Sequence, residues 1–506
     1  MMKAIDNFLD RITMYRLVLY GLIGLVIIAM LFGFFDMLPY SPGAILFSAS
    51  FLLFVSLITN GIFARVFEAP TNIESAYITA LILALIVTPF QGAQDLPMLF
   101  WAAVLAMASK YILAINRKHI FNPVAIAVAL TALWLNDSAS WWIGTTTMMP
   151  FVVVLGLLIV RKIRHEAMVI SFFIVAFLTQ EIFTLTQGGN IIATIQTLIL
   201  HSSLLFFAFI MLTEPFTTPP TKELRIFYGG IVGFLFSPLI HLGSFYWSPE
   251  LALVTGNIFS YLVSPKLKLY LHAQEKVHYG EDIIDFIFAP TTSRTNFAPG
   301  QYMEWTLPHQ DTDSRGNRRY FTVASSPTED SIHLGIKFYP QGSSFKKALI
   351  AMDEKTPIVA GNVAGDFTLP NDPKTKLVFI AGGIGVTPFR SMIKYCIDKK
   401  EERPIVLFYA NKVISEFAYT DIFEQAEKIG IKTVYALTDT HSVPKDWHGK
   451  VGRITSEMIK EEVPDFMERF FYLSGPHPMV TGYEETLREM GVPLTHIKKD
   501  FFPGYV

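Results

Sequence analysis

A single cysteine, Cys396, stands among 506 residues. One thiol cannot close an internal disulfide, ligate an iron–sulfur cluster or build a thiolate zinc site. Redox chemistry here must therefore run on an organic cofactor, or on haem held by histidine, and no metal site is expected. Charge is also scarce: charged residues make up 17% and the net charge is -2, a balance that does not suit a nucleic-acid partner. No cleavable signal peptide is evident, because the first apolar run continues into further apolar runs.

What is present is apolar residue, unevenly spread. Up to about Pro265 the chain is a series of long apolar runs; beyond it Lys, Asp and Glu become frequent. Ten runs fall at 14–35, 44–64, 76–90, 98–115, 121–135, 149–160, 167–183, 191–212, 226–242 and 251–263. A bilayer span needs about 20 such residues, so several runs would be tilted, broken or partly re-entrant. Arg65, Arg117, Lys118, Arg161, Lys162, Arg164, Lys222, Arg225, Lys266 and Lys268 follow alternate runs, and Lys3 and Arg11 precede the first. The intervening loops carry almost no basic residues. Positive charge stays inside, which predicts a multi-pass protein of the cell membrane, in contact with lipid and with both termini in the cytoplasm.

Helix breakers mark three run ends: Asn122–Pro123, the stretch 213–220 (TEPFTTPP) and Gly256–Asn257. Irregular backbone at membrane depth needs protein or a cavity to satisfy it, so these are either a buried cofactor or ion site or plain Pro-capped helix ends. Haem requires paired histidines on facing helices, and only His201 and His241 fall within runs. That excludes two bis-histidine haems and leaves one as a rival to two satisfied polar residues.

The order of runs, FNPVAIAV at 121–128 and MLTEPFTTPP at 211–220 resemble the related flavin-bearing membrane proteins of Rnf-type electron transport complexes and of the sodium-pumping NADH:quinone reductase. The resemblance covers most of residues 1–264. It implies ten helices in two related halves and bound flavin, one of them attached to the threonine of an outer-loop Ser-Gly-Ala-Thr motif. Ile143-Gly144-Thr145-Thr146 aligns there with glycine and the last threonine matched, which makes Thr146 the candidate for a second flavin.

After Pro265 short alternating runs separated by Gly, Pro and Asn predict an antiparallel β-barrel over 265–370. From Lys376 the pattern becomes strand, Gly-rich turn, helix, strand, which predicts a parallel α/β domain over 371–506. Arg319-Tyr320-Phe321-Thr322 reads as a strand with Arg319 and Phe321 on one face, a cation and an aromatic ring side by side. Gly342-Ser343-Ser344-Phe345 opens a helix whose first N–H groups suit an anion, or is simply a Ser N-cap. LVFIAGGIGVTPFRSMI, at 377–393, is a buried strand, a glycine turn and an amphipathic helix, with Pro388 in the first helical turn.

In this order the segments resemble the ferredoxin–NADP reductase superfamily over about residues 267–506. The resemblance implies that Arg319, Phe321 and Thr322 hold the phosphate, ring and N5 edge of a flavin. Ser343 and Ser344 would take the pyrophosphate of FAD, with FMN the alternative. It also implies that Gly383, Gly385, Thr387 and Pro388 cradle NAD(P)H and that Gly475-Pro476 lie by the nicotinamide. Phe321 stands where tyrosine is usual, and Ser474 where cysteine is common. Thr322, Ser474 and Asp500 are the candidates at the reacting atoms, and Tyr505 of the aromatic terminus is a candidate cover for the flavin. Asn411 and Lys412 on one side and Asp439 on the other leave NADH against NADPH open.

The expected activity is transfer of electrons from cytosolic NAD(P)H through FAD to a flavin or other cofactor in the membrane half. From there they pass to a quinone or an extracytoplasmic flavoprotein. Two alternatives stay open: an anchored NAD(P)H:quinone reductase with its chemistry only in the cytosolic half, and a redox-driven ion transporter.

Overall fold

The computed structural model describes every residue except 1–4, 6–7, 10–11, 68–72, 116–117, 238–239, 244, 265–267, 291–296, 311, 314–316, 341, 442 and 503–506. The chain divides into two compact units, Met1–Ser264 and Pro265–Val506.

The first unit is helical: α1 (Met14–Phe34), α2 (Pro42–Val66), α3 (Ile73–Ile86), α4 (Leu96–Ile112), α5 (Pro123–Trp134), α6 (Met149–Ile163), α7 (Glu166–Thr186), α8 (Ile191–Leu200), α9 (Leu204–Met211), α10 (Lys222–Phe236) and α11 (Pro249–Val263). Two short hairpins, β1–β2 (Ala114–Ile115, Lys118–His119) and β3–β4 (His241–Leu242, Phe245–Tyr246), join them. Helix starts follow sequence chemistry. Ser41, Asn122 and Ser248 accept from N–H groups of the first turn through their side chains, each with proline directly after.

Helix lies at each of the ten apolar runs, with α8 and α9 sharing one run across a 60° bend. Among the described residues only four helices are long and apolar enough to cross a membrane, and five if the bent pair is one span. The remaining helices are shorter, as the lengths of their apolar runs lead one to expect. The 12 residues of α5 rise only about 18 Å, short of the roughly 30 Å of hydrocarbon. α3 stops early because a loop meets it. Trp141 N–H donates to Ile86 O at 2.8 Å, and the Trp142 indole Nε1 donates to Ala84 O at 3.1 Å and Val87 O at 3.0 Å. The run expected to continue to 242 ends as helix at Phe236, so His241 sits in β3 and His201 caps α8; both side chains are exposed rather than inside a bundle.

α10 packs on α7 through glycine. A β-carbon at Gly229 would lie 2.3 Å from Met168 O, and one at Gly233 would lie 2.6 Å from Phe172 O, whereas one at Gly24 meets nothing within 4 Å. Small residues four apart let two backbones approach this closely. Gly233→Ala is expected to cost about 1–3 kcal/mol through overpacking, and Gly24→Ala to cost nothing measurable. Thermal unfolding in detergent compares the two, and equal effects would refute the packing.

The second unit opens with a six-stranded antiparallel sheet: β5 (Lys268–Tyr279), β6 (Ile283–Pro290), β7 (Tyr302–Thr306), β8 (Arg318–Thr322), β9 (Ile332–Lys337) and β10 (Ile358–Ala364), in the order β8-β7-β10-β5-β6-β9. Its two edges meet just past β8, where Ala324 N–H donates to His333 O at 2.9 Å. Inward positions alternate, with Ile332, Leu334 and Ile336 buried along β9. α12 (Ser344–Ala351) plugs this core with Phe345 and Leu349.

A parallel six-stranded sheet follows: β11 (Leu377–Gly382), β12 (Ile405–Asn411), β13 (Lys432–Leu437), β14 (Lys450–Val451), β15 (Phe470–Pro476) and β16 (Ile497–Phe502), in the order β14-β13-β12-β11-β15-β16. Both faces are covered. Leu377, Phe379 and Ala381 of β11 enter one core, and Val378 and Ile380 the other. Helices α13 (Thr387–Lys399), α14 (Thr420–Ala426), α15 (Ser456–Glu462) and α16 (His477–Glu489) lie between the strands in sequence. The strand order reverses between β11 and β15, and ligands of open α/β sheets bind outside the carboxyl ends of strands at such a point.

Candidate functional site

β11 ends at Gly382, and the glycine turn, Gly383–Val386, leads into α13. Gly383 has φ +56°, a left-handed conformation that glycine adopts without strain. Gly385 is pressed on β15: a β-carbon there would stand 2.5 Å from Gly475 Cα and 2.5 Å from Ser474 O. The turn and the Ser474-Gly475-Pro476 segment are therefore one surface at the reversal point. Thr387 Oγ1 donates back to Ile384 O at 3.2 Å, and Pro388 occupies the first turn of α13. Ser474 is fully buried, and its hydroxyl has no partner among the described residues. Asp500 pairs with it in register across β15 and β16. Tyr505 lies outside the described residues.

On the barrel, Arg319 and Phe321 share the face expected of them, and both meet Phe345 of α12. The Arg319 guanidinium lies 5.4 Å from the Phe345 ring centre, and the Phe321 ring 5.9 Å from it. Tyr320 points the other way and donates to Glu304 Oε2 at 2.9 Å. Ser343 caps α12, accepting from Lys346 N–H at 3.3 Å. Arg319 Nη2 donates to both oxygens of Asp313, at 2.9 and 3.1 Å, and the Ser344 N–H donates to Asp313 Oδ2 at 3.3 Å. Arg319 and the start of α12 thus converge on one negative charge. Thr322 is buried, and its hydroxyl lacks a partner among the described residues.

Sequence reasoning missed Asp313 and Phe345, which join its separate segments. Asp313 carried no local signal, since it lies in a polar loop. Phe345 carried one, as the first apolar residue after the Ser-Ser cap. Cys396 is buried in α13, and burial pushes its thiol up to about 12, so it is inert as a nucleophile near neutral pH.

In the helical unit the three expected break points converge. Asn122 N–H donates to Asn257 Oδ1 at 2.8 Å, Asn122 Nδ2 donates to Met211 O at 3.4 Å, and Asn257 Nδ2 donates to the Tyr228 hydroxyl at 3.0 Å. Glu214 Oε1 lies 3.2 Å from His119 Nε2, and Glu214 Oε2 accepts from Thr217 at 3.1 Å. The residues before this break, Phe207–Met211, form a π-helical turn, a form that often accompanies functional sites. Thr146 stands on the α5–α6 loop, and its hydroxyl donates to Leu200 O at 3.3 Å. Gly144 abuts Ser202 O at the α8–α9 bend.

Residues 379–485 match the oxidoreductase NAD-binding domain family, so this stretch of the second unit is an oxidoreductase nucleotide domain. The flavohemoprotein of Oceanobacillus iheyensis is 27% identical over 241 residues, which cover 45% of this chain and 57% of that protein. A glycine betaine monooxygenase reductase subunit of Pseudomonas aeruginosa is 24% identical over 208 residues, covering 41% and 56%. The chain thus spans a little over half the length of these curated relatives. Among solved structures, the FAD/NAD-binding domain of nitric oxide dioxygenase from Vibrio cholerae superposes with a TM-score of 0.41 at 18% identity, over 46% of this chain and 98% of that one.

Proposed function

We propose that this protein is a membrane-bound flavoprotein oxidoreductase. It would take electrons from NAD(P)H in its second unit and pass them to a cofactor in its helical unit, then to a membrane or extracytoplasmic acceptor. The observation that carries the reading is the glycine turn seated on Ser474-Gly475 at the reversal of a parallel sheet, in one compact unit with an anion site beside two aromatic rings.

The donor set fits a flavin carrying phosphate. Arg319 offers a planar fork, the start of α12 offers N–H groups, and Thr322 holds a hydroxyl unsatisfied among the described residues. When bound, the flavin supplies hydride acceptance and the splitting of an electron pair into single electrons. Arg319, Ser343 and Ser344 would hold its phosphates, Phe321 would wall the ring with Phe345 packed behind it in the barrel core, and Thr322 would orient its polar edge. Gly383, Gly385, Thr387 and Pro388 would cradle the dinucleotide pyrophosphate, with Ser474, Gly475 and Pro476 beside the nicotinamide and Asp500 next to Ser474. Thr146 would anchor the second flavin.

Purified full-length protein should show flavin absorbance that NAD(P)H bleaches. In sealed proteoliposomes electrons should reach an impermeant acceptor on the far side. Bleaching without transfer across the membrane would favour the other reading, a reductase whose chemistry stays in the second unit. The reductase proteins among its relatives support that alternative.

Asp313 occupies the donors that a phosphate needs. Asp313→Asn should tighten flavin binding about tenfold, roughly 1.4 kcal/mol, by removing a competing charge. Flavin fluorescence titration of stripped protein measures this, and weaker binding would overturn it.

A further inference from the structure

Arg390 lies in the first turn of α13, three residues past Thr387, and is only 4% exposed. A buried guanidinium must find acceptors, and the ones it finds belong to the barrel. Nη1 donates to Ala324 O at 3.1 Å, Nη2 donates to Glu329 Oε1 at 2.8 Å, and Nη1 also reaches Glu329 Oε2. The next residue repeats the contact: Ser391 Oγ donates to Ser325 O at 2.6 Å. Glu329 also accepts the Ser326 N–H at 2.6 Å, so the whole 324–329 turn closes around this pair. The guanidinium stacks on Tyr419, 5.5 Å from its ring centre.

The two ends of this clamp are the informative part. Ala324 and Ser325 follow Thr322 at the end of the flavin-side strand, and Arg390 sits on the helix that the glycine turn opens. Adhesion alone does not need a charge here, because well-packed apolar residues hold two surfaces at least as well as a buried ion pair. A two-pronged pair with a third bond to a backbone carbonyl supplies direction and register instead.

We propose that Arg390 is a positioning residue for hydride transfer, whose clamp on Glu329 and Ala324 holds the glycine turn in register with the Arg319–Thr322 strand. The inference rests on the flavin and nucleotide reading above. It goes beyond that reading by assigning the geometry between the two sites to one side chain that belongs to neither. Lysine keeps the charge but cannot make the fork.

The test uses full-length protein as Arg390→Lys, Glu329→Gln and the double variant. At saturating NAD(P)H, flavin bleaching should slow about 100-fold in Arg390→Lys and about tenfold in Glu329→Gln, since a misplacement of about 1 Å costs that much. The half-saturating nucleotide concentration and flavin content should stay within about twofold, and the double variant should be no slower than Arg390→Lys, because both changes break one clamp. In flavin-stripped protein, amide hydrogen exchange at 323–326 and 384–391 should rise together in either single variant. A wild-type bleaching rate in Arg390→Lys overturns the proposal, and so does exchange that rises in one segment alone. If Arg390→Lys does not fold, Glu329→Gln decides by the same two readouts. Wild-type protein that binds no flavin overturns the underlying reading, while the exchange result still judges the clamp.

Discussion

Gly385→Ala is expected to lower kcat/KM for NAD(P)H by about 100-fold or more, because it displaces the turn by an appreciable fraction of an ångström from its working position. The added carbon would lie 2.5 Å from Gly475 Cα and 2.5 Å from Ser474 O, both backbone atoms of the neighbouring strand. No rotamer relieves that overlap, so either the turn or β15 must move. Gly382→Ala provides the contrast. Its β-carbon would meet Met479 Sδ at 2.1 Å, but a thioether at the end of a flexible side chain can swing away. A loss of only a few fold, on the order of 1 kcal/mol, is expected there. Steady-state kinetics with both nucleotides measures the two variants, and flavin content serves as the internal control because the change lies away from Arg319. If Gly382→Ala proved as damaging as Gly385→Ala, the claim that turn and strand form one nucleotide surface would fail.

The contrast shows what the sequence discloses. A strand, a glycine turn and a helix are local, so the position of the nucleotide segment is legible in residues 377–393 alone. The three helix breaks are legible as well, because proline and asparagine alter backbone geometry wherever they stand. Which strand Gly385 would touch is not legible, since Ser474 lies 89 positions away and only the sheet order brings it near. That α3 and α5 fall short of a span is legible too, because their apolar runs are themselves short. What the runs cannot reveal is the partners at their ends: the Trp141 N–H on Ile86 O and the Asn257 side chain on the Asn122 N–H come from distant segments that no window of sequence contains. Arg390 and Glu329 escape a reading of the sequence for a related reason. An arginine after Thr-Pro-Phe looks like a surface charge until the fold buries it against a turn 61 residues earlier.

The second large effect concerns the flavin itself. Arg319→Ala should raise the flavin dissociation constant about 100-fold, on the order of 3 kcal/mol, for the loss of charge-assisted bonds to phosphate. Arg319→Lys should fall between, near tenfold, because a point charge replaces a fork. The side chain is already built for an anion. It is only 14% exposed, it bridges both oxygens of Asp313, and it stacks on Phe345, so its direction is set before any ligand arrives. Removing it also takes the guanidinium from Asp313, which keeps the Ser344 N–H, and that local cost must be separated from flavin loss. Arg319→Ala combined with Asp313→Asn removes the uncompensated charge, and binding should remain weak if the arginine contacts the flavin. Absorbance after gel filtration and fluorescence titration of stripped protein with FAD and with FMN give the answer. Preference for FAD in wild-type protein would place a second phosphate at Ser343 and Ser344, and Arg319→Ala should narrow that preference. Equal flavin content in Arg319→Ala and wild type would mean that the barrel strand holds no flavin.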